Sequence, residues 1–240
     1  MSEQFHREGF WVEQWQQKLD GYLQAPPRAG IFVRSLLGSR VSSILELGAG
    51  SCRDSLYLGA SGYRCTASDF NAQTMQLLRA RFPDSGVRFS VDDSRKLGFS
   101  VGEFDLVFHN GLIVCFDQDS DAHAILREQF RVARRYALVL VHNGENARLR
   151  AQFEDLARTD PLYRIRFFTR QQLADTLAGA GVGWKSLRLL KFGGSADAFY
   201  GPRIRGVPNP LRAVAPSFVK SLYRYQPWSR VERIAALAEL

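Results

Sequence analysis

Between Ser43 and Asn71 the chain reads SILELGAGSCRDSLYLGASGYRCTASDFN. The order is a short apolar strand, a glycine turn, a helix, a second strand and a carboxylate. Ile44, Leu45 and Leu47 supply the buried strand. Gly48 and Gly50, with Ala49 between them, let the backbone turn sharply and approach a ligand where any Cβ would collide. The helix that follows opens with backbone amides free to face that ligand. Asp69 closes the second strand, Arg64 to Ser68, about 20 residues beyond the glycines, where such folds place a carboxylate that accepts both ribose hydroxyls. Phe70 follows it at the same tip. An adenosine-bearing cofactor is the expectation.

The turn separates adenosine cofactors from one another. A dinucleotide site needs a third glycine three positions after the second, and that position holds Arg53. Glu46, just ahead of the turn, would repel a pyrophosphate but could hold a cationic amino group, directly or through water. These residues disfavour a dehydrogenase. They resemble the class I S-adenosylmethionine-dependent methyltransferases, whose first motif is an acidic residue followed by glycines at alternate positions, matched here by Glu46, Gly48 and Gly50. Cys52 stands where the family usually has its third glycine.

Further blocks extend the resemblance in order. Val87 to Leu97 looks like the family's third strand and adenine-recognition turn, which places Asp93 to accept the adenine amine and the Ser94 amide to donate to a ring nitrogen. Phe104 to Leu112 looks like the fourth strand and the loop under the methionyl part of the cofactor, with Asn110 and Gly111 in that loop. Tyr136 to His142 supplies the fifth strand. Arg53 reads as an ion-pair partner of Asp54 with a contact to the cofactor carboxylate. The resemblance spans about Ser43 to Phe192 and implies S-adenosylmethionine as cofactor; no metal is assigned, because the cysteines lack metal-finger spacing. Methyl transfer by in-line attack needs alignment and exclusion of water more than a dedicated base. If the acceptor is a hydroxyl, His109 and His142, each at a predicted strand end, are the candidate bases. Cys115 replaces a His found in many relatives. The Asn-Pro-Pro-aromatic signature of amine methylation is absent after the fourth strand, which points to oxygen.

Strands alternate with helices through the middle of the chain. Asn71 is positioned to cap a helix from Ala72 to Arg81; Ala122, Leu126, Phe130 and Ala133 form the stripe of another; Thr169 and Gln172 have capping-box spacing ahead of a helix that stops near Gly179; and Trp184 to Phe192 reads as a strand. The fold class expected is α/β, a doubly wound, mostly parallel sheet with helices on both faces, of the seven-stranded Rossmann-like type in the family. Phe10, Trp11, Trp15, Leu19, Tyr22 and Leu23 recur at helical spacing ahead of Pro26 and Pro27, and Phe10, Trp11 and Trp15 are candidates for a lid over the cofactor or for packing on the sheet edge. The expected division is a helical cap over 1–30, a core over 31–192 and a basic segment over 193–240 packed on the core or at the acceptor site. That last segment reads as irregular and then helical, with no obvious final strand.

At 240 residues, with 45% hydrophobic and 23% charged residues, the composition is that of one ordinary globular domain. No secretory signal is visible, and Cys52, Cys65 and Cys115 lack metal-finger spacing, which suits reduced thiols and a cytoplasmic setting. The formal charge of +8 is weighted toward the end, where Arg203, Arg205, Arg212, Lys220, Arg224, Arg230 and Arg233 face only Glu232 and Glu239. Such a segment suits an anionic membrane surface or an acidic glycolipid, with nucleic acid a weaker second partner, or is a solvated basic surface with no dedicated partner. The function expected is methylation of a small molecule or glycan at oxygen; an RNA methyltransferase and a non-catalytic S-adenosylmethionine-binding scaffold are the alternatives.

Overall fold

The computed structural model describes residues 8–201, 203–204 and 206–240. The first seven residues of the expected cap, and Arg205 of the basic segment, lie outside the described residues. In chain order the elements are α1 (Glu8–Gln24), α2 (Arg28–Leu37), β1 (Ser43–Leu47), α3 (Arg53–Ala60), β2 (Arg64–Asp69), α4 (Ala72–Arg81), β3 (Arg88–Val91), β4 (Phe104–Asn110), α5 (Asp119–Val132) and β5 (Ala133–His142). They continue with α6 (Ala147–Leu156), α7 (Arg170–Gly179), β6 (Ser186–Phe192), a small hairpin of β7 (Arg203–Ile204) and β8 (Val207–Pro208), α8 (Ala215–Tyr223) and β9 (Arg233–Glu239).

Seven strands form one sheet in the order β3-β2-β1-β4-β5-β9-β6, with β9 antiparallel to both of its neighbours. Strand pleating sends successive side chains to opposite faces. Leu138 and Leu140 of β5 therefore join the layer of α2, α3, α4 and α8, while Ala137, Val139 and Val141 join that of α5 and α7. Local signals end the helices where the sequence indicates. Asn71 accepts from the Thr74 amide, and Thr169 and Gln172 close a complete capping box.

The end of the chain departs from its sequence reading. RIAALAE is rich in good helix formers and was expected to be helical, yet it is the strand that fills the sheet between β5 and β6. Both faces of β9 are covered, Ala235 and Leu237 by one layer and Ile234, Ala236 and Ala238 by the other. Its backbone groups pair on both sides. Small side chains suit a strand squeezed between two helical layers, and full pairing of a buried backbone outweighs local propensity. α8 also docks on the core: Ala215, Val219 and Tyr223 are buried, and Phe218 and Leu222 pack beside them. α2, with Ala29, Phe32 and Val33 buried, already belongs to the core.

The strand order reverses between β1 and β4, whose neighbours run outward in opposite directions. A crevice opens there at the carboxyl ends of the strands.

Candidate active site

The turn after β1 is built from three left-handed residues at alternate positions, Gly48 (φ 57°), Gly50 (φ 53°) and Cys52 (φ 55°). A Cβ on Gly48 would strike the Leu112 side chain, and one on Gly50 would strike the Trp15 ring. Cys52 keeps the glycine-like conformation while burying its side chain completely, at a backbone cost of about 1–3 kcal/mol. α3 begins directly after it.

Carboxylates gather under this turn. Asp69 accepts from the amides of Gly50 at 2.9 Å and Asn71 at 3.0 Å, which ties the turn to the tip of β2. Asp54 accepts from the Gly30 amide at 2.8 Å. Glu46 accepts from the amide and hydroxyl of Ser55 at 3.0 and 2.6 Å, and burial, then the nearby Asp54, push its pKa up to about 8. Burial likewise raises Asp69, opposed by its backbone donors. Buried carboxyls of this kind suit a positively charged ligand, which favours their ionised form.

The crevice encloses about 320 Å³ and is lined by Glu46, Gly48, Ala49, Gly50, Arg53, Asp69, Phe70, Asp93, Ser94, Asn110 and Gly111, every cofactor residue expected from the sequence. Asp93 is held by the amide and guanidinium of Arg95. Arg53 lies 3.5 Å from Asp54 and donates to the Tyr22 carbonyl, leaving Nε without a partner. The Asn110 Oδ1 is buried and unpartnered. Cradle, carboxylates and open acceptor together fit an adenosine carrying a cationic sulfur and amino group.

The structure separates the two histidines. His142, at the tip of β5, lines the crevice and clusters with the rings of Phe153 and Phe167, with centroids 5.1 and 5.6 Å away. Burial, then Arg233, hold its pKa well below the usual value, so it is neutral. His109 is absent from the crevice lining and completely buried, on the same side of the pleat as Val107. Burial lowers its pKa to about 3, and neither ring nitrogen has a partner. A strand end was visible in the sequence, but which side of the pleat faces the ligand was not.

The apolar walls from α6 onward carried no legible sequence signal. Phe153, Leu162, Tyr163 and Ile165, from α6 and the segment after it, wall the crevice beside Phe116 and Cys115. Arg233 enters from the start of β9. α1 supplies Trp11, Gln14, Trp15, Lys18 and Tyr22, with the two Trp rings stacked at 6.2 Å. Of the aromatics read as a lid, Trp11 and Trp15 thus line the crevice. Lys18 pairs with Asp160, and Arg81 of α4 with Asp20, which pins α1 across the opening.

Residues 44–135 match the family model described as a methyltransferase domain. A search of curated proteins returns no match. Among solved structures, the chain is similar over 100% of its length to 99% of an S-adenosylmethionine-dependent methyltransferase from Thermotoga maritima, described as a possible histamine N-methyltransferase (16% identity, TM-score 0.65). It is similar over 94% of its length to the whole of an S-adenosylmethionine-dependent methyltransferase from Archaeoglobus fulgidus (12% identity, TM-score 0.60). A third similarity covers 97% of this chain and 84% of geranyl diphosphate C-methyltransferase from Streptomyces coelicolor, solved with S-adenosyl-L-homocysteine (11% identity, TM-score 0.57). At these identities the structures establish the fold.

Proposed function

We propose that this chain, an S-adenosylmethionine-dependent methyltransferase by its domain match and fold, transfers the methyl group to a hydroxyl of a small molecule with an apolar body. The observation that carries this reading is the neutral, crevice-facing His142 set in an aromatic wall. Structural neighbours are named for methylation at nitrogen and at carbon, so the fold leaves the acceptor atom open.

Glu46 and the turn at Gly48 to Gly50 would hold the methionyl end, Asp69 the ribose, and Asp93 with Ser94 the adenine. Arg53 is placed for the cofactor carboxylate. Bound there, S-adenosylmethionine would supply the methyl as an electrophilic carbon on sulfur. The protein's own work is alignment and exclusion of water by α1. His142 takes the hydroxyl proton; its depressed pKa keeps it unprotonated near neutrality but also makes it a weak base, so the proton moves as the methyl is transferred and not before. Phe153, Leu162, Tyr163 and Ile165 favour an apolar body. A sugar could use the same walls by stacking.

Incubation with a methyl-labelled donor and a panel of phenols, alcohols, sugars, amines and RNA, read by mass spectrometry, tests the assignment. Label on the oxygen of a small molecule is expected, with turnover reduced about a hundredfold in His142→Ala. Label on amines or RNA, or turnover unchanged in that variant, would overturn it.

A further inference from the structure

Arg233 is the least satisfied cation lining the crevice. Its guanidinium donates through Nε to Glu232 at 3.3 Å, while Nη1 is buried without a partner. Buried donors without acceptors are rare in folded proteins and cost free energy. Glu232 is shared: Arg28 donates to both of its oxygens, at 2.8 and 2.9 Å, and Arg233 reaches it only through Nε. Arg28 also engages Asp197, which accepts from the Tyr223 hydroxyl.

The nearest groups on the crevice side offer no counter-charge. His142 is the register partner of Arg233 across β5 and β9, and it is neutral. Gly111 (φ 89°) forms the floor above the guanidinium, where a Cβ would come within 3.0 Å of Nη1 and 3.8 Å of the His142 Cε1. The carboxylates in the lining are already engaged: Glu46 by Ser55, Asp54 by Gly30, Asp69 by Gly50, and Asp93 by Arg95. Burial holds the Arg233 pKa below that of an ordinary guanidinium. An oxyanion against Nη1 would supply the missing acceptor and favour the charged form.

From this geometry we infer that Arg233 anchors a carboxylate on the methyl acceptor, and that the substrate class is an aromatic or apolar hydroxy acid. The inference rests on the methyltransferase reading above and narrows its substrate. The planar guanidinium presents donors in a fixed fork that matches a carboxylate. The apolar walls Phe116, Phe153, Leu162, Tyr163 and Ile165 take the body of the molecule. Arg53, at the first turn of α3, is left for the carboxylate of the cofactor.

The test uses the full chain saturated with S-adenosylhomocysteine, into which benzoate or the uncharged benzyl alcohol is titrated by calorimetry. Benzoate is expected to bind at least about tenfold tighter than the alcohol. In Arg233→Met this preference should vanish while affinity for S-adenosylhomocysteine stays within about twofold, and Arg233→Lys should keep part of it. Equal binding of benzoate and benzyl alcohol to the wild type overturns the proposal. So does a loss of about tenfold or more in S-adenosylhomocysteine affinity in Arg233→Met, because the carboxylate held would then be the cofactor's. Should Arg233→Met not fold, the wild-type comparison and Arg233→Lys decide the question. Failure of the wild type to bind S-adenosylhomocysteine would instead sink the cofactor reading, and it is seen before either probe is added.

Discussion

Glu46 ties the stability of the fold to its ligand. Burial first and Asp54 second raise its folded pKa to about 8, against 4.5 for the ordinary group. Between those values the unfolded chain has released the proton that the folded protein keeps, so stability falls as pH rises through the window and levels off above it. The slope from one such group is at most about 1.4 kcal/mol per pH unit. Glu46→Gln, which keeps an oxygen for Ser55, removes that slope. Thermal melts of variant and wild type should therefore diverge in favour of the variant between about pH 5 and about pH 8; parallel curves would refute the buried, protonated carboxyl. The acid was legible in the sequence because motif spacing placed it. His109 and His142 show the limit of such spacing, since both end strands and only one faces the crevice. Arg233 was counted in a basic tail because its position depends on a strand pairing that no local pattern announces.

At the scale of elements, what was legible divides local from distant causes. Helix caps at Asn71 and Thr169, and the apolar strands β1, β4 and β5, are written in neighbouring residues and appear where the sequence indicates. β9 is decided by what surrounds it. Leu237→Ala should cost about 2–5 kcal/mol in denaturant unfolding, as for any fully enclosed leucine; a cost under about 1 kcal/mol would mean that the tail is peripheral to the core. α1 is the complementary case, a helix whose periodicity was visible and whose use, as lid or as edge packing, was left open. Trp15 lies against Gly50, so this helix closes the crevice over the glycine turn. Trp15→Ala should weaken S-adenosylhomocysteine binding by about tenfold, chiefly through faster dissociation, with little loss in melting temperature. Unchanged dissociation in a stopped-flow experiment would show that the helix is packing alone.

For the whole molecule, the charge of +8 invites association with anionic surfaces, and the structure decides what form that can take. No helix among the described residues is long and apolar enough to cross a membrane. The amphipathic face of α8, the sequence's best candidate for lying in an interface, is spent on the core through Ala215, Val219 and Tyr223. What faces outward nearby is mixed: Arg203, Arg212, Arg224 and Arg230 are exposed, and so are Val207, Leu211, Val214 and Tyr225. Binding that draws on such charges without an inserted apolar face must be electrostatic and therefore screened by salt. Sedimentation with vesicles should accordingly show no binding to a neutral lipid, and any binding to an anionic one should be lost at about 0.5 M salt, where the Debye length is only a few ångströms. Binding to neutral vesicles, or binding that survives such salt, would require the exposed Val207, Leu211, Val214 and Tyr225 to insert or α8 to leave the core. That departure would expose Tyr223 and Phe218 to solvent and would show as a change in their environment on adding lipid.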